Sequence, residues 1–173
     1  MKIEGFNGRL FAPYQRDGVK WMLDMEAQTS GPKGGFLCDE MGLGKTVQLI
    51  STILGNPRDR TLIVVPKSII TQWVEEINRF APKLTVAVFD GPDRKIDCDA
   101  DVTITPYTLV SSRKNEPTPL HRVFWDRVIL DEAHEIRNKS SKTFKSVCTL
   151  KTDIKWLVTG TPVFNSMEDF VTL

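Results

Sequence analysis

The segment Asp39-Glu40-Met41-Gly42-Leu43-Gly44-Lys45-Thr46 constrains this chain most, because of what stands on either side of it. Before it, the apolar run Gly35-Phe36-Leu37-Cys38 reads as a buried strand. After it, Val47-Gln48-Leu49-Ile50-Ser51-Thr52-Ile53-Leu54 repeats its apolar residues at helical spacing. Strand, glycine loop and helix in succession form the context in which such a loop binds phosphate. Gly42 and Gly44 let backbone amides close around a phosphate, and the helix N-terminus adds its positive dipole end. Lys45 would reach the β- and γ-phosphates of a nucleotide, and the Thr46 hydroxyl would ligate Mg²⁺. The usual loop opens with a further glycine, and here Asp39 holds that position. The competing reading is a glycine-rich turn that meets Gly-Lys-Thr by chance.

A chain of 173 residues fits one domain that buries a core without disulfides. At 40% hydrophobic and 26% charged it is ordinary for a globular protein, with no apolar run long enough to cross a bilayer. Met1-Lys2-Ile3-Glu4-Gly5 lacks the apolar core of a signal peptide. Cys38, Cys98 and Cys148 are scattered without metal-ligand spacing and suit a reducing compartment; Cys38 and Cys148 are expected in the core. Together these point to an intracellular protein. A net charge of +1 is no electrostatic footprint for nucleic acid, so any such contact must come from a few placed residues. Local candidates are Lys67, Arg94 with Lys95, Arg113 with Lys114, and Arg137-Asn138-Lys139, and for Arg94 and Lys95 ordinary solvated loop charge is the better reading.

Short apolar strands alternate with helical patterns along the chain. Thr61-Leu62-Ile63-Val64-Val65 is a continuous apolar strand stopped by Pro66. Ser68 is placed to cap a helix through Phe80, with Ile69, Ile70, Trp73, Ile77 and Phe80 on one stripe. Further strands are expected at Thr85 to Phe89, Val102 to Ile104, Val128 to Leu130 and Trp156 to Val158. Apolar strands separated by helices predict a parallel sheet covered on both faces, an α/β fold. Gly91-Pro92-Asp93 and Asn115 to Pro119 read as the flexible loops. Asn165 to Leu173 begins an amphipathic helix that stops in mid-pattern, which is expected of a piece of a longer protein.

The second chemical signal is Val128-Ile129-Leu130-Asp131-Glu132-Ala133-His134. A hydrophobic strand ending in adjacent carboxylates puts acidic oxygens at the C-terminal edge of the sheet, where ligands bind in α/β folds. There Asp131 can hold Mg²⁺ opposite Thr46, and Glu132 can orient and deprotonate an attacking water. With the glycine loop, this predicts nucleotide hydrolysis.

At these residues the chain resembles the first RecA-like lobe of a superfamily-two helicase-type ATPase, specifically the Swi/Snf family of DNA translocases and chromatin remodellers. The resemblance covers nearly the whole chain. Pro13 to Met22 resembles the Q motif, which implies that Gln15 reads the adenine edge. Asp39 to Thr46 is similar to the family's motif I, whose form also lacks the first glycine. Val64 to Ser68 with Gln72-Trp73 looks like motif Ia, and Ile104-Thr105-Pro106-Tyr107 like motif Ib. Asp131 to His134 with Asn138 resembles motif II, and Leu157 to Pro162 with Asn165 resembles motif III.

The resemblance implies a RecA-like P-loop domain with a mostly parallel sheet, divided into a helical segment 1–26 and an ATP-binding lobe 27–173. It implies ATP and Mg²⁺ as cofactors, duplex DNA, bare or nucleosomal, and a second RecA-like lobe as partners, and a nuclear location in a eukaryote or a cytoplasmic one otherwise. It assigns nucleotide contacts to Gln15 and to Asp39, Glu40, Met41, Gly42, Leu43, Gly44, Lys45 and Thr46. Metal binding falls to Thr46 and Asp131, and catalysis to Lys45, Asp131 and Glu132. Lys67, Ser68 and Thr105 would touch DNA phosphates, while His134, Thr159 and Thr161 would couple the γ-phosphate to DNA grip. The alternatives for Thr159, Thr161 and His134 are a plain tight turn and a satisfied polar residue. His121 reads as a surface histidine, and Trp21, Trp73, Trp125 and Trp156 as core. Phe164 stands where the family carries glutamine, which touches motif III and not the nucleotide site. Because such motors draw an arginine finger from the second lobe, a single lobe is expected to turn ATP over poorly. An RNA helicase lobe and a non-catalytic nucleotide- or DNA-binding module are the alternatives, the first weakened by the motif I and Gly-Thr-Pro residues.

Overall fold

Parallel strands need cover on both faces, and the computed structural model, which describes residues 2–11, 13–111 and 117–160, shows how that is met. In chain order the elements are α1 (Pro13–Glu26), β1 (Lys33–Leu37), α2 (Lys45–Gly55), β2 (Thr61–Val65), α3 (Ile70–Phe80), β3 (Val86–Val88), β4 (Val102–Pro106), α4 (Tyr107–Val110), β5 (Phe124–Asp131), α5 (Lys142–Cys148) and β6 (Lys151–Val158). The six strands form one sheet in the order β1-β6-β5-β2-β4-β3, every neighbouring pair parallel. The expected α/β architecture is present, with most strands longer than their apolar centres suggested.

Side chains on β2 leave alternately for two cores. Ile63 and Val65 join Val19 and Met22 of α1, Leu49, Ile50 and Ile53 of α2, and Trp73 and Ile77 of α3. Leu62 and Val64 point the other way, to Tyr107 and Val110 of α4, Leu120, Trp125 and Val147 of α5. The helical segment at the N-terminus thus shares one core with the sheet through Leu10, Val19 and Met22.

Polar side chains carry a third layer of contact. Glu26, the last residue of α1, is fully buried and ion-paired with an equally buried Arg127 of β5. Arg127 Nε donates to Glu26 Oε1 at 2.7 Å and Nη2 to Oε2 at 2.5 Å. Trp156 Nε1 and Asn56 Nδ2 donate to the same carboxylate at 2.8 and 2.7 Å, and Arg127 reaches on to the Asn56 carbonyl and the Thr61 hydroxyl. Nearly every polar atom of the pair therefore has a partner, the condition under which a buried ion pair is tolerated.

Several expectations are corrected here. Ser68 does not cap a helix: Pro66, its φ fixed by the ring, starts a 3-10 turn over Lys67–Ile69, closed by Ile69 N donating to the Pro66 carbonyl at 3.1 Å. Ser68 lies exposed inside that turn, and α3 begins only at Ile70. Cys148, the last residue of a short helix, is exposed, and Cys38 is half-buried. His121 is buried in a capped 3-10 turn over Pro119–Arg122, its Nδ1 accepting from the Thr118 amide and its Nε2 3.0 Å from the Ser146 carbonyl. Trp73, Trp125 and Trp156 are core, while Trp21 is 40% exposed and packs edge-on against Trp156 at the rim of the sheet. Arg113, Lys114, Asn115 and Glu116 lie outside the described residues, as do Thr161, Phe164, Asn165 and the helix expected after them. No described helix is long and apolar enough to cross a membrane.

Candidate nucleotide-binding site

Register alone brings the sequence motifs together. β1 ends at Leu37, opposite Val158 of β6, and Val158 stands opposite Asp131 of β5. On the other side of β5, Val65 of β2 faces Pro106 of β4. Along the C-terminal edge of the sheet the order is therefore glycine loop, Thr159-Gly160, Asp131-Glu132, Lys67-Ser68, and Tyr107. Residues from five separate stretches of sequence meet on the edge where α/β folds bind ligands.

The glycine loop is held open from within. Gly42 and Gly44 both take left-handed backbone conformations, φ 84° and 78°, that only glycine adopts without strain. From Gly44 the chain turns directly into α2, so the first amides of the helix face the loop. Lys45 folds back into the loop, its Nζ 2.8 Å from the Asp39 carbonyl and 3.0 Å from that of Glu40. Gly160 closes the other side, where an added Cβ would lie 3.6 Å from Lys45 Nζ and 2.9 Å from Met41 Cγ.

Asp39, in place of the usual glycine, has a structural use: its carboxylate accepts a 2.8 Å hydrogen bond from Nε2 of the buried Gln48. Gln48 in turn fills the space left by Gly18 of α1, where a Cβ would lie 2.1 Å from Gln48 Oε1. Gly18→Ala should therefore drive Gln48 off Asp39, and alanine's helix propensity should offset part of the lost hydrogen bond, leaving a net cost of about 1 kcal/mol or less. Urea melts check this, and the same substitution in a Gln48→Ala background should cost clearly less. Gln15 is likewise committed to the loop: its Nε2 donates to the Leu43 carbonyl at 3.2 Å, and its Oε1 accepts from the Phe11 amide at 2.9 Å. Both polar atoms that would read an adenine edge thus have protein partners.

Asp131 closes β5 with its side chain nearly buried. Oδ2 accepts from the Trp73 indole N–H at 2.8 Å and Oδ1 from the Glu132 amide at 2.9 Å, while the Tyr107 hydroxyl donates to its carbonyl at 2.8 Å. Burial pushes the Asp131 carboxyl up from its usual range, against the opposing pull of the Trp73 hydrogen bond, the Glu132 amide and Lys45. The Tyr107 hydroxyl is raised well above its ordinary range by burial first, with Asp131 adding to it. A nearly buried carboxylate at the end of β5 and a hydroxyl in the first turn of α2 are hard-oxygen donors of the kind that suits Mg²⁺. Glu132 is the one non-glycine residue with positive φ among the described residues, at 50°. Such a backbone costs about 1–3 kcal/mol and persists where surrounding structure enforces it. Its carboxylate stands 3.1 Å from His134 Nδ1, so these two side chains meet within motif II.

The candidate DNA contacts separate. Lys67 is exposed and paired with Asp90 at 3.0 Å, and its hydrogen bond is the first cause holding the Asp90 carboxyl below its usual range. Ser68 is exposed on the same turn. Thr105 is not available: it is fully buried in β4 and its hydroxyl donates to the Phe89 carbonyl at 3.0 Å. Thr159 is buried beside the loop, its amide bonded to the Leu37 carbonyl at 3.1 Å. Trp73, Tyr107 and Gln48 are the residues whose roles at the site the sequence did not announce.

A family model described as SNF2-related domain matches residues 14–173. The chain belongs to that family. This SNF2-related domain is 37% identical to a Danio rerio protein named DNA excision repair protein ERCC-6-like, over 90% of the chain and 12% of that protein. It is 34% identical to the Saccharomyces cerevisiae ISWI chromatin-remodeling complex ATPase ISW1, over 94% of the chain and 15% of the relative. It is 38% identical to the Schizosaccharomyces pombe ATP-dependent helicase rhp16, over 93% and 21%. The chain thus spans only a small part of the length of these relatives. Among solved structures, the Sulfolobus solfataricus SWI2/SNF2 ATPase core in complex with dsDNA superposes with a TM-score of 0.86 at 33% identity, covering 99% of this chain and 36% of that one. The RecA-like fold of an N-terminal lobe is therefore the fold of this domain.

Proposed function

We propose that this chain is the ATP-binding lobe of a DNA-dependent ATPase that couples hydrolysis to movement on duplex DNA or to remodelling of protein–DNA complexes. The observation that carries the reading is the placement of Lys45 inside a glycine loop on the same sheet edge as Asp131 and Glu132, with only the end of β6 between them. The loop amides and Lys45 hold the phosphates, and Thr46 with Asp131 would hold Mg²⁺, which neutralises charge on the β- and γ-phosphates when bound. Glu132, with His134 Nδ1 3.1 Å from its carboxylate, orients a water for in-line attack and takes its proton. Lys67 and Ser68, exposed at the start of α3, are the candidate contacts to a DNA strand, and Lys67 must leave Asp90 to make one. Thr159 and Gly160 adjoin the loop and can report the γ-phosphate state, with Thr161 following them in sequence. ATP as fuel and duplex DNA as track imply that the work is done inside the cell. The similarity to the dsDNA-bound ATPase core and to named chromatin and repair ATPases supports this reading, and family membership counts against an RNA helicase.

The chemistry as proposed needs an arginine from a second lobe, worth roughly a thousandfold or more in rate. Mg·ATP hydrolysis should therefore be slow in this chain alone and DNA-stimulated in a form extended through a second lobe. Glu132→Gln in the extended form should remove at least about a hundredfold of that rate, the share a general base commonly supplies, while leaving nucleotide binding intact. Equal turnover by both forms of the protein, or by the variant, would be incompatible with the split-site reading.

A further inference from the structure

Asp131 is held at three points, two of them by parts of the chain distant in sequence. Its own neighbour Glu132 occupies Oδ1, Tyr107 of α4 holds its carbonyl, and Trp73 of α3 holds Oδ2. Trp73 lies one helical turn into α3, whose entry turn carries Lys67 and Ser68. The tryptophan is 1% exposed, so its indole N–H has no access to water and the carboxylate supplies its bond. An N–H donor aimed at one oxygen leaves the remaining lone pairs of the carboxylate in a fixed direction, as outer-shell donors do for metal ligands.

We propose that Trp73 is a positioning residue for the cation site, orienting the Asp131 carboxylate and tying it to the helix that begins with the candidate DNA contacts. The proposal rests on the nucleotide-site reading above and adds to it a specific path. A shift of α3 at its Lys67-Ser68 end moves an indole that is hydrogen-bonded to the carboxylate expected to hold Mg²⁺. Trp125 supplies the matched control. It is equally buried, and its indole N–H donates at 2.9 Å to the Leu120 carbonyl, beside the opposite end of β5 from Asp131.

The test follows the indole N–H resonances by ¹H–¹⁵N NMR on the ¹⁵N-labelled chain, Trp73 being assigned through bonds and checked by its loss in Trp73→Phe. Adding Mg²⁺ to the ADP-loaded chain should shift the Trp73 resonance and leave that of Trp125 in place, whereas ADP with EDTA should not move Trp73 comparably. By calorimetry, Trp73→Phe should weaken Mg²⁺ binding to the ADP-loaded chain by roughly tenfold or more. ADP affinity in EDTA should stay as it is, and Trp125→Phe should change neither. A stationary Trp73 resonance on Mg²⁺ binding would overturn the proposal, as would equal loss of Mg²⁺ and ADP affinity in Trp73→Phe. If the variant does not fold, the wild-type titration decides alone. Failure of the wild-type chain to bind ADP at all would instead bring down the nucleotide-site reading, and the proposal with it.

Discussion

Arg127→Met should lower the unfolding free energy by about 3–5 kcal/mol, because it strands the Glu26 carboxylate in a site with no water. In a domain of this size that corresponds to roughly 10 °C in melting midpoint. The side chains of both residues are wholly buried, and Glu26 also accepts from Trp156 and Asn56, so it cannot swing out to solvent without breaking those bonds too. A Glu26→Met, Arg127→Met double variant should recover part of the loss, since the charge is then gone and the volume kept. It should not recover all of it, because the Trp156 indole and Asn56 amide lose their acceptor. Urea melts of the wild type, the singles and the double close the cycle, and simple additivity would show that the pair is not the coupled unit described. The consequence reaches the site: α1 carries Glu26 at one end and Gln15 at the other, and Gln15 is bonded to the Leu43 carbonyl of the glycine loop. Loosening the Glu26 end frees the element that braces that loop.

What could be read from the residues alone divides along a physical line. Strand, loop and helix around Gly42 and Gly44 were legible because that signal is local: periodicity changes from strand to helix within a dozen or so residues, with glycine between. Asp131 and Glu132 were legible for the same reason, standing at the end of an apolar run. Thr105 misled because every residue of β4 is buried, so a central parallel strand offers no alternation by which to tell an outward hydroxyl from an inward one. His121 looked like a loop residue because its partners, Thr118 and Ser146, create a capped turn that composition does not reveal. Trp73 was correctly placed in the core, yet its N–H is paired with a carboxylate 58 positions away, and no spacing rule reports such a partner. The buried Glu26–Arg127 pair was invisible on the same ground, its members 101 positions apart. Local patterning announces elements and the loops between them, whereas polar partners across the fold appear only when strand order brings them together.

Gly44→Ala should weaken nucleotide binding while leaving the domain folded, by about fivefold to thirtyfold if the 1–2 kcal/mol of backbone strain must be met to restore the loop on binding. Two separate effects meet at this residue. Its φ of 78° disfavours any side chain, and a Cβ there would lie 2.6 Å from Gln15 Nε2, the atom that donates to the Leu43 carbonyl. Gly42 isolates the first effect, because it has a similar φ of 84° with nothing within 4 Å of an added Cβ. Gly42→Ala should therefore cost the fold only the strain, and Gly44→Ala the strain plus the displacement of Gln15. Urea melts of the two variants, read beside titration with a fluorescent ATP analogue, separate loop geometry from global stability. The decisive comparison is Gly44→Ala in a Gln15→Ala background, where the clash is gone and the stability cost should fall to that of Gly42→Ala. If it does not fall, Gln15 is not the brace of the loop, and the link from α1 to the phosphate site must run through Gly18, Gln48 and Asp39 alone.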